Sequence, residues 1–297
     1  MSKTGIARKR RMETSMNGFG SFLFKCCDKE IVCDGQAKIM GILNTTPDSF
    51  SDGGRYETVD AAVEQGLRMA SEGADILDVG GESTRPGHTP VDAEEEIRRV
   101  VPVIEELSRH TDVPISIDTS KGAVAVAAVK AGAVIVNDVC GFERDFAVMT
   151  DLLRKTGAGA VLMHWRDGLP SDADEAAHEI GRYLIERIHL AEEASGLDAT
   201  HFMTDPGIGF AKTHEQNLSI IRHTGYYRSL GYPVLLGPSR KSFIGRILDE
   251  PEPMNRRWGT AGAVAVGAWL GADVIRVHDV AEMRDVARVV EAIKAES

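Results

Sequence analysis

The sequence predicts an α/β protein built as a single (β/α)8 barrel with an N-terminal β-hairpin extension. Short apolar segments alternate with amphipathic ones, and this strand–helix unit occurs eight times with no ninth. Strands that are apolar throughout are typical of parallel sheets buried on both faces. No linker or shift in composition divides the 297 residues, and one barrel commonly takes about 250. A closed barrel is therefore favoured over an open, doubly wound sheet.

The first 20 residues are predicted to form a disordered basic tail before a barrel domain at residues 21–297. No apolar segment follows the tail, so a secretory signal is not expected, and an address or a contact with an anionic surface is the alternative. Two short β segments within residues 21–37 predict a hairpin that caps the bottom of the barrel. The cations of the tail are Lys3, Arg8, Lys9, Arg10 and Arg11.

The eight predicted strands are short and apolar, and each runs into a polar or turn-forming segment. The first ends at Asn44, because Pro47 and the pair Gly53–Gly54 cannot continue a strand. The strands are predicted at residues 38–43, 74–79, 113–117, 133–136, 159–163, 202–204, 232–236 and 273–277.

The predicted helices carry apolar residues at helical spacing, as in Val63, Leu67 and Ala70 of the first. The second begins with a run of acids, which the helix dipole favours. The fifth is the longest, with one continuous apolar stripe. The helices are predicted at residues 58–72, 91–109, 121–131, 145–156, 174–195, 213–224, a short piece from Ser242 followed by 257–271, and 280–295.

Composition excludes several classes of function. No segment approaches the roughly 18–20 apolar residues of a membrane span. The net charge of −11 argues against non-specific nucleic-acid binding, so an anionic ligand would have to be held by a few focused cations. The cysteines lack metal-ligand or CxxC spacing and are interpreted as reduced thiols of a cytoplasmic protein. These are Cys26, Cys27, Cys33 and Cys140.

Polar and ionisable residues follow the predicted strands at their carboxyl ends. In a barrel these ends surround one mouth, where the chemistry of such folds lies. A single Asp or Asn in this position is more often a helix cap, but a whole ring of such residues predicts a site. The ring consists of Asn44, Thr84, Arg85, Asp118, Asn137, His164, Asp205, Lys241, Arg276 and His278.

The acids and the amide of this ring suit a flat heterocycle with several N–H donors. Asp118 and Asp205 are predicted on opposite sides of the barrel with Asn137 between them in chain order. Two desolvated carboxylates need donors or a cation, so they imply a specific partner. The alternative is a structural ion pair with Lys241.

The cations of the ring predict a phosphate or diphosphate clamp. Lys241 stands where a helix begins, and a helix start with a cation forms an anion site. Arg276 and His278 alternate along a strand, so both can point into the mouth, although a core histidine is the alternative for His278. His164 is interpreted as a supporting or structural residue. Asn44 is a candidate Mg²⁺ ligand that would share the ion with water and substrate phosphate oxygens.

Seven motifs follow one another along the chain: ILNTTPDSFSDGG at 42–54, DVGGESTRPG at 78–87, SIDTSK at 116–121, VNDVCGF at 136–142, DPGIGFAKT at 205–213, SRKSFIG at 239–245 and RVHDV at 276–280. Together they closely resemble dihydropteroate synthase, and the resemblance runs from about residue 36 to the C-terminus. The resemblance implies a cytoplasmic homodimer of TIM barrels in folate biosynthesis. Such an enzyme joins (7,8-dihydropterin-6-yl)methyl diphosphate to 4-aminobenzoate with Mg²⁺ and releases diphosphate, and sulfonamides compete with the aminobenzoate.

The resemblance also implies roles for individual residues. The pterin would be held by Asp118, Asn137, Asp205 and Lys241. The diphosphate would be held by Asn44, Arg276 and His278, with Asn44 touching Mg²⁺. The aminobenzoate pocket and its loops would include Phe50, Thr84, Arg85, Pro86 and Ser242. The residues expected to be catalytic are Asp118, Lys241, Arg276 and His278.

Departures from the common family pattern occur at Thr45, Cys140, Trp165 and Pro238, and Trp165 and Pro238 stand where they would reshape the rims of the pocket. Three other functions compete with the synthase. A pterin-binding methyltransferase barrel would share the acids and amide but would not need the diphosphate clamp. A Schiff-base aldolase would use Lys241 from within a strand, and an inactive pterin-binding paralogue would release no diphosphate.

Overall fold

The computed structural model describes residues 20–45, 55–82 and 90–296, so the predicted basic tail lies outside the described residues except for Gly20. The strands are β1 Phe22–Cys26, β2 Lys29–Cys33, β3 Lys38–Asn44, β4 Ile76–Gly80, β5 Ile115–Asp118, β6 Ile135–Asp138, β7 Gly159–Met163, β8 Phe202–Asp205, β9 Leu235–Leu236 and β10 Val274–Val277. The α-helices are α1 Arg55–Glu72, α2 Ala93–His110, α3 Gly122–Ala131, α4 Phe146–Thr156, α5 Ala173–Ser195, α6 His214–Arg222, α7 Thr224–Ser229, α8 Ser242–Leu248, α9 Arg257–Trp269 and α10 Val280–Ala295.

Strands β3 to β10 form one parallel sheet in the order β8-β7-β6-β5-β4-β3-β10-β9. A parallel bridge between Thr204 and Val234 joins its two edges, and the Thr204 N–H donates to the carbonyl of Pro233 at 2.9 Å. The predicted closed barrel is therefore confirmed. Closure leaves the eight carboxyl ends around one mouth.

The seventh barrel strand is shorter than predicted: residues 232–236 were expected, and β9 contains two residues. Pro233 has no N–H to give to a ladder. The Val234 N–H donates to the side chain of Asp273 at 3.0 Å, so a carboxylate takes the place of a strand partner. The helix predicted at 213–224 is confirmed as α6, and a second short helix that was not predicted, α7, follows it directly after His223.

The hairpin of β1 and β2 caps the bottom of the barrel, as predicted. Phe24 is fully buried among inward-facing residues of the strands, such as Met40 and Ile135. The hairpin and strand β7 approach each other closely at Gly159, where a Cβ would lie 2.6 Å from the Phe24 ring. A second, larger apolar layer lies between the strands and the helices. Within the described part of the chain, no helix has the length and apolar character to cross a bilayer.

The register of the sheet aligns four site positions in one row. Asn44 lies opposite Gly80, Gly80 opposite Asp118, and Asp118 opposite Asn137. Gly80 has no side chain, and a Cβ there would lie 3.8 Å from both the Asn44 Oδ1 and the Asp118 Oδ2. The amide and the carboxylate therefore face a common space at the mouth.

Candidate active site

Arg276 is the centre of a buried network at the mouth. It extends from β10 across the barrel, and its Nε donates to the Asp78 Oδ2 at 2.5 Å and its Nη2 to the Asp118 Oδ2 at 2.6 Å. The Asn137 amide donates to the same Asp78 oxygen at 3.1 Å. Burial alone would lower the pKa of Arg276, but Asp78 and Asp118 outweigh it and raise that pKa above its ordinary value.

Asp78 is the functional candidate that sequence reasoning missed. It is fully buried in β4, and its Oδ1 has no hydrogen-bond partner among the described residues. A buried carboxylate oxygen without a donor is unfavourable, so its presence at a mouth indicates a place for a ligand donor. The signal available in the sequence was a charged residue inside an otherwise apolar strand.

Two further carboxyl groups of the mouth are strongly desolvated. Burial raises the pKa of Asp118 to about 7, against the opposing charge of Arg276. Burial also raises the pKa of Asp205 to about 6, although its Oδ1 accepts the Gly207 N–H at 2.7 Å. Both groups gain from a ligand that brings N–H donors, because such donors stabilise the ionised form.

Lys241 lies at the N-cap of α8 and faces the same pocket. Its ammonium is 3.9 Å from the centre of the Phe210 ring, and that ring contacts Trp165 at 5.5 Å between centres. Burial first, and Arg276 second, lower the pKa of Lys241 to about 8. The ion pair between Lys241 and the acids that sequence reasoning kept as an alternative is thus not what holds Asp118, since its partner is Arg276.

The structure brings five of the predicted residues into one small pocket: Asp118, Asn137, Asp205, Lys241 and Arg276. The remaining lining residues were not predicted and are Val139, Met163, Ile208, Phe210 and Gly237. Acids and an amide thus converge with two cations from different strand ends.

His164 lies behind this pocket, in contact with a lysine that the sequence did not single out. The Lys212 ammonium donates to the carbonyl of His164 at 3.1 Å and that of Phe210 at 2.7 Å, and it lies 3.0 Å from the His164 Nδ1. Burial lowers the pKa of His164 to about 3, so the ring is neutral. This placement fits the interpretation of His164 as a supporting residue.

His278 follows β10, and its Nδ1 lies 2.9 Å from the Ser239 Oγ in the loop after β9. Ser242 is the exposed first residue of α8. Neither belongs to the lining of the pocket around Asp118. Phe50, Thr84, Arg85 and Pro86 lie outside the described residues.

The donor set near Asn44 fits a metal that arrives with the substrate better than a resident one. Among the residues that the structure describes, no three His, Cys, Asp or Glu side chains are grouped to hold a metal ion. The Asn44 Oδ1 offers one neutral oxygen next to Asp118, which suits Mg²⁺ that keeps waters and phosphate oxygens.

Comparisons with known proteins show the family to which the chain is similar. Residues 40–278 match the family model described as pterin binding enzyme. The dihydropteroate synthase of Bacillus subtilis is 45% identical over 255 residues, which cover 86% of this chain and 88% of that one.

Two solved structures extend the comparison. Xanthomonas albilineans dihydropteroate synthase with 4-aminobenzoic acid is 44% identical, with a TM-score of 0.86 over 93% of this chain and 99% of that chain. Yersinia pestis dihydropteroate synthase with a sulfonamide drug complex is 35% identical, with a TM-score of 0.83 over 93% and 100%.

Proposed function

The chain belongs to the pterin-binding enzymes and, within them, to the dihydropteroate synthase family, and from this premise we propose how its barrel mouth works. The reaction joins (7,8-dihydropterin-6-yl)methyl diphosphate to 4-aminobenzoate and gives 7,8-dihydropteroate and diphosphate. The observation that carries the proposal is the convergence of Asp118, Asn137, Asp205, Lys241 and Arg276 on one pocket.

The pterin ring is held by the buried polar side of the pocket. Its N–H donors face Asp118 and Asp205, whose carboxyl groups are strongly desolvated in the free protein. Asn137 and Lys241 supply donors to the carbonyl and ring nitrogens. The burial of both acids supports this assignment, because a flat heterocycle with several donors is the partner that they lack.

The diphosphate arm is held by Arg276, His278 and Asn44. Two of the five N–H groups of Arg276 are used by Asp78 and Asp118, which fixes the plane of the guanidinium and leaves further donors for phosphate oxygens. The side-chain oxygen of Asn44 would hold Mg²⁺. When bound, the ion supplies Lewis-acid stabilisation of the departing diphosphate.

Substitution proceeds by departure of the diphosphate before attack. Positive charge that develops at the methylene carbon spreads into the electron-rich pterin, where ionised Asp118 stabilises it. Arg276 and His278 stabilise the leaving group, and Lys241 keeps the ring in place. The nitrogen of aminobenzoate then attacks and needs positioning more than activation. Water would hydrolyse this cation, so the reaction requires that water be excluded from the mouth.

The aminobenzoate pocket is proposed to include Phe50, Thr84, Arg85, Pro86 and Ser242. Sulfonamides, which resemble aminobenzoate, are expected to compete there. The sulfonamide complex of the Yersinia pestis relative supports this expectation.

A homodimer is proposed to form through the exposed apolar face of α9 and α10. The two helices lie side by side, with the Lys294 ammonium 3.2 Å from the carbonyl of Ala268. Large apolar residues are uncommon on a solvent-facing surface in such a cluster and indicate an interface. The residues are Val266, Trp269, Val289 and Ile293, each between 46% and 60% exposed.

Sedimentation tests this surface. Val289→Lys is expected to yield a monomer with an unchanged fold, whereas Leu190→Lys on α5 serves as an exposed apolar control that keeps the mass of the dimer. A mass that does not change in Val289→Lys contradicts the proposed interface.

A cytoplasmic location is also proposed, and the free cysteines of the described part of the chain support it.

Diphosphate release tests the reaction and its metal dependence together. The purified protein is mixed with both substrates, with and without Mg²⁺, and dihydropteroate and diphosphate are measured in parallel. Equal amounts of both products, with a rate that falls on chelation, are expected. Diphosphate without dihydropteroate contradicts the substitution, and a rate unaffected by chelation contradicts the role of Mg²⁺.

A further inference from the structure

We infer that Ser239 is a positioning residue for His278: its hydroxyl holds the imidazole in the tautomer that presents an Nε2–H donor to the diphosphate arm. This inference rests on the proposed function, because it concerns how the proposed diphosphate ligand His278 is made ready.

The contact between the two residues has two points. The backbone N–H of His278 donates to the Ser239 Oγ at 3.2 Å, and the same oxygen lies 2.9 Å from the His278 Nδ1. Ser239 is 5% exposed. One hydroxyl thus contacts both the main chain and the ring of one histidine, which fixes the ring relative to its own backbone.

The hydroxyl proton decides the tautomer. The Ser239 oxygen already accepts the His278 backbone N–H. Within the described part of the chain, the acceptor that the Ser239 hydroxyl proton reaches is the His278 Nδ1. If Nδ1 carried a proton, the buried hydroxyl would lose that acceptor, which is unfavourable. The hydroxyl therefore donates to Nδ1, and the neutral imidazole carries its proton on Nε2.

An ion pair between Arg240 and Asp279 lies next to the contact between Ser239 and His278 and holds the same two loops together. Arg240 donates from Nη2 to the Asp279 Oδ1 at 2.7 Å and from Nε to the Oδ2 at 3.2 Å. Each pair is separated by 39 residues, so the loops after β9 and β10 are joined at successive positions, immediately before Lys241. Arg240 has a φ of +57°, a left-handed conformation that a side chain adopts only when its contacts hold it there.

This arrangement also links the two halves of the substrate site. The loop after β9 continues into Lys241 on the pterin side, and the loop after β10 carries His278 on the diphosphate side. A displacement of Ser239 would therefore disturb the diphosphate contact first, since Lys241 has its own contact with Phe210.

Calorimetry with two probes separates positioning from general damage. Inorganic pyrophosphate with Mg²⁺ reports on the diphosphate arm, and 6-hydroxymethyl-7,8-dihydropterin reports on the ring alone. Ser239→Ala is expected to weaken pyrophosphate binding about tenfold and to leave the affinity for the pterin alcohol within about twofold. The matched control is Ser195→Ala, because the buried Ser195 hydroxyl also accepts a backbone N–H and donates to one acceptor, far from the mouth.

A double-mutant cycle shows whether Ser239 acts through His278. In a His278→Ala background, Ser239→Ala is expected to add no further loss of pyrophosphate affinity. An equal additional loss in that background, equal losses for both probes, or unchanged pyrophosphate affinity in the single variant would each overturn the inference. If the unaltered protein binds the pterin alcohol but no pyrophosphate, the proposed diphosphate site itself is wrong.

Nitrogen NMR of the histidine rings supplies a readout other than affinity. The unaltered protein is expected to show His278 with an unprotonated Nδ1 and a protonated Nε2, and Ser239→Ala to show a mixture of both tautomers. A protonated Nδ1 in the neutral ring of the unaltered protein would overturn the inference.

Discussion

The bottom and the mouth of the barrel each contain a buried Arg–Asp pair, but only the bottom one is complete. At the bottom, the Asp273 Oδ1 accepts from Arg228 at 3.0 Å and the Oδ2 accepts the Val234 N–H at 3.0 Å. At the mouth, Asp78 and Asp118 share Arg276, and the Asp78 Oδ1 has no partner among the described residues.

The bottom and the mouth differ in their hydrogen bonds and not in the desolvation of their acids. Burial raises the pKa of Asp273 to about 6 and that of Asp118 to about 7, so desolvation alone does not distinguish a structural acid from a functional one. The hydrogen bonds distinguish the two networks, because both oxygens of Asp273 have a donor, whereas the Asp78 Oδ1 at the mouth has none among the described residues. A closed network stabilises the fold, whereas an open one leaves acceptors for a ligand.

Arg228→Met is expected to give the largest loss of stability and no loss of activity. It leaves the fully buried Asp273 without its cation, so the free energy of unfolding should fall by about 3–5 kcal/mol. Turnover per folded molecule should stay unchanged, because Asp273 precedes β10 at the end opposite the mouth. Urea denaturation and a rate corrected for the folded fraction measure both quantities. A large loss of kcat in the folded protein would contradict the division between bottom and mouth.

Asp118→Asn is expected to lower activity and to leave the fold intact. Loss of the carboxylate that faces the pterin should lower kcat by about 100-fold, as the removal of one electrostatic contact to a transition state commonly does. The fold should remain, with the same circular dichroism spectrum as the unaltered protein. An unimpaired variant would remove Asp118 from the mechanism.

Asp78→Asn and Asp273→Asn form a matched pair that sharpens the comparison. At the mouth, Arg276 keeps its ion pair with Asp118 when Asp78 is replaced. Asp78→Asn should therefore change the free energy of unfolding by less than about 1 kcal/mol while raising the KM for the pterin substrate. At the bottom, Asp273→Asn should destabilise by more than that and leave KM alone. Urea denaturation and steady-state kinetics measure the pair, and equal losses of stability would refute the distinction.

A further prediction concerns pH. Burial raises the pKa of Asp118 from 3.8 to about 7 in the folded protein. Between these values the folded protein binds more protons than the unfolded chain, so this group lowers the free energy of unfolding as the pH rises. Asp118→Asn should therefore show a shallower fall in stability between about pH 4 and pH 7. Parallel slopes for the two proteins in urea denaturation would contradict a raised pKa at Asp118.

The sequence predicted the barrel well because its periodicity is strong, and it located most of the mouth because strand ends are recognisable. It could not supply the register that aligns Asn44, Gly80, Asp118 and Asn137, since that depends on pairing between strands. For the same reason it missed Asp78, whose role follows from its contact with Arg276.

Two other differences have local causes. The short β9 follows from Pro233 and from the bond between Val234 and Asp273, a contact 39 residues away in sequence that no local pattern reveals. Phe210 and Lys212 lie in a loop, where their contacts with Lys241 and His164 depend on how neighbouring loops pack.

Proton exchange on ligand binding tests the central claim, that the desolvated acids of the mouth gain N–H donors when the pterin arrives. The binding enthalpy of 6-hydroxymethyl-7,8-dihydropterin is measured near pH 6 in buffers with different enthalpies of ionisation. Because donors from the ligand lower the pKa of Asp118, binding should release protons, approaching one per pterin, and Asp118→Asn should release fewer. Binding without proton release, or with equal release in the variant, would contradict the account.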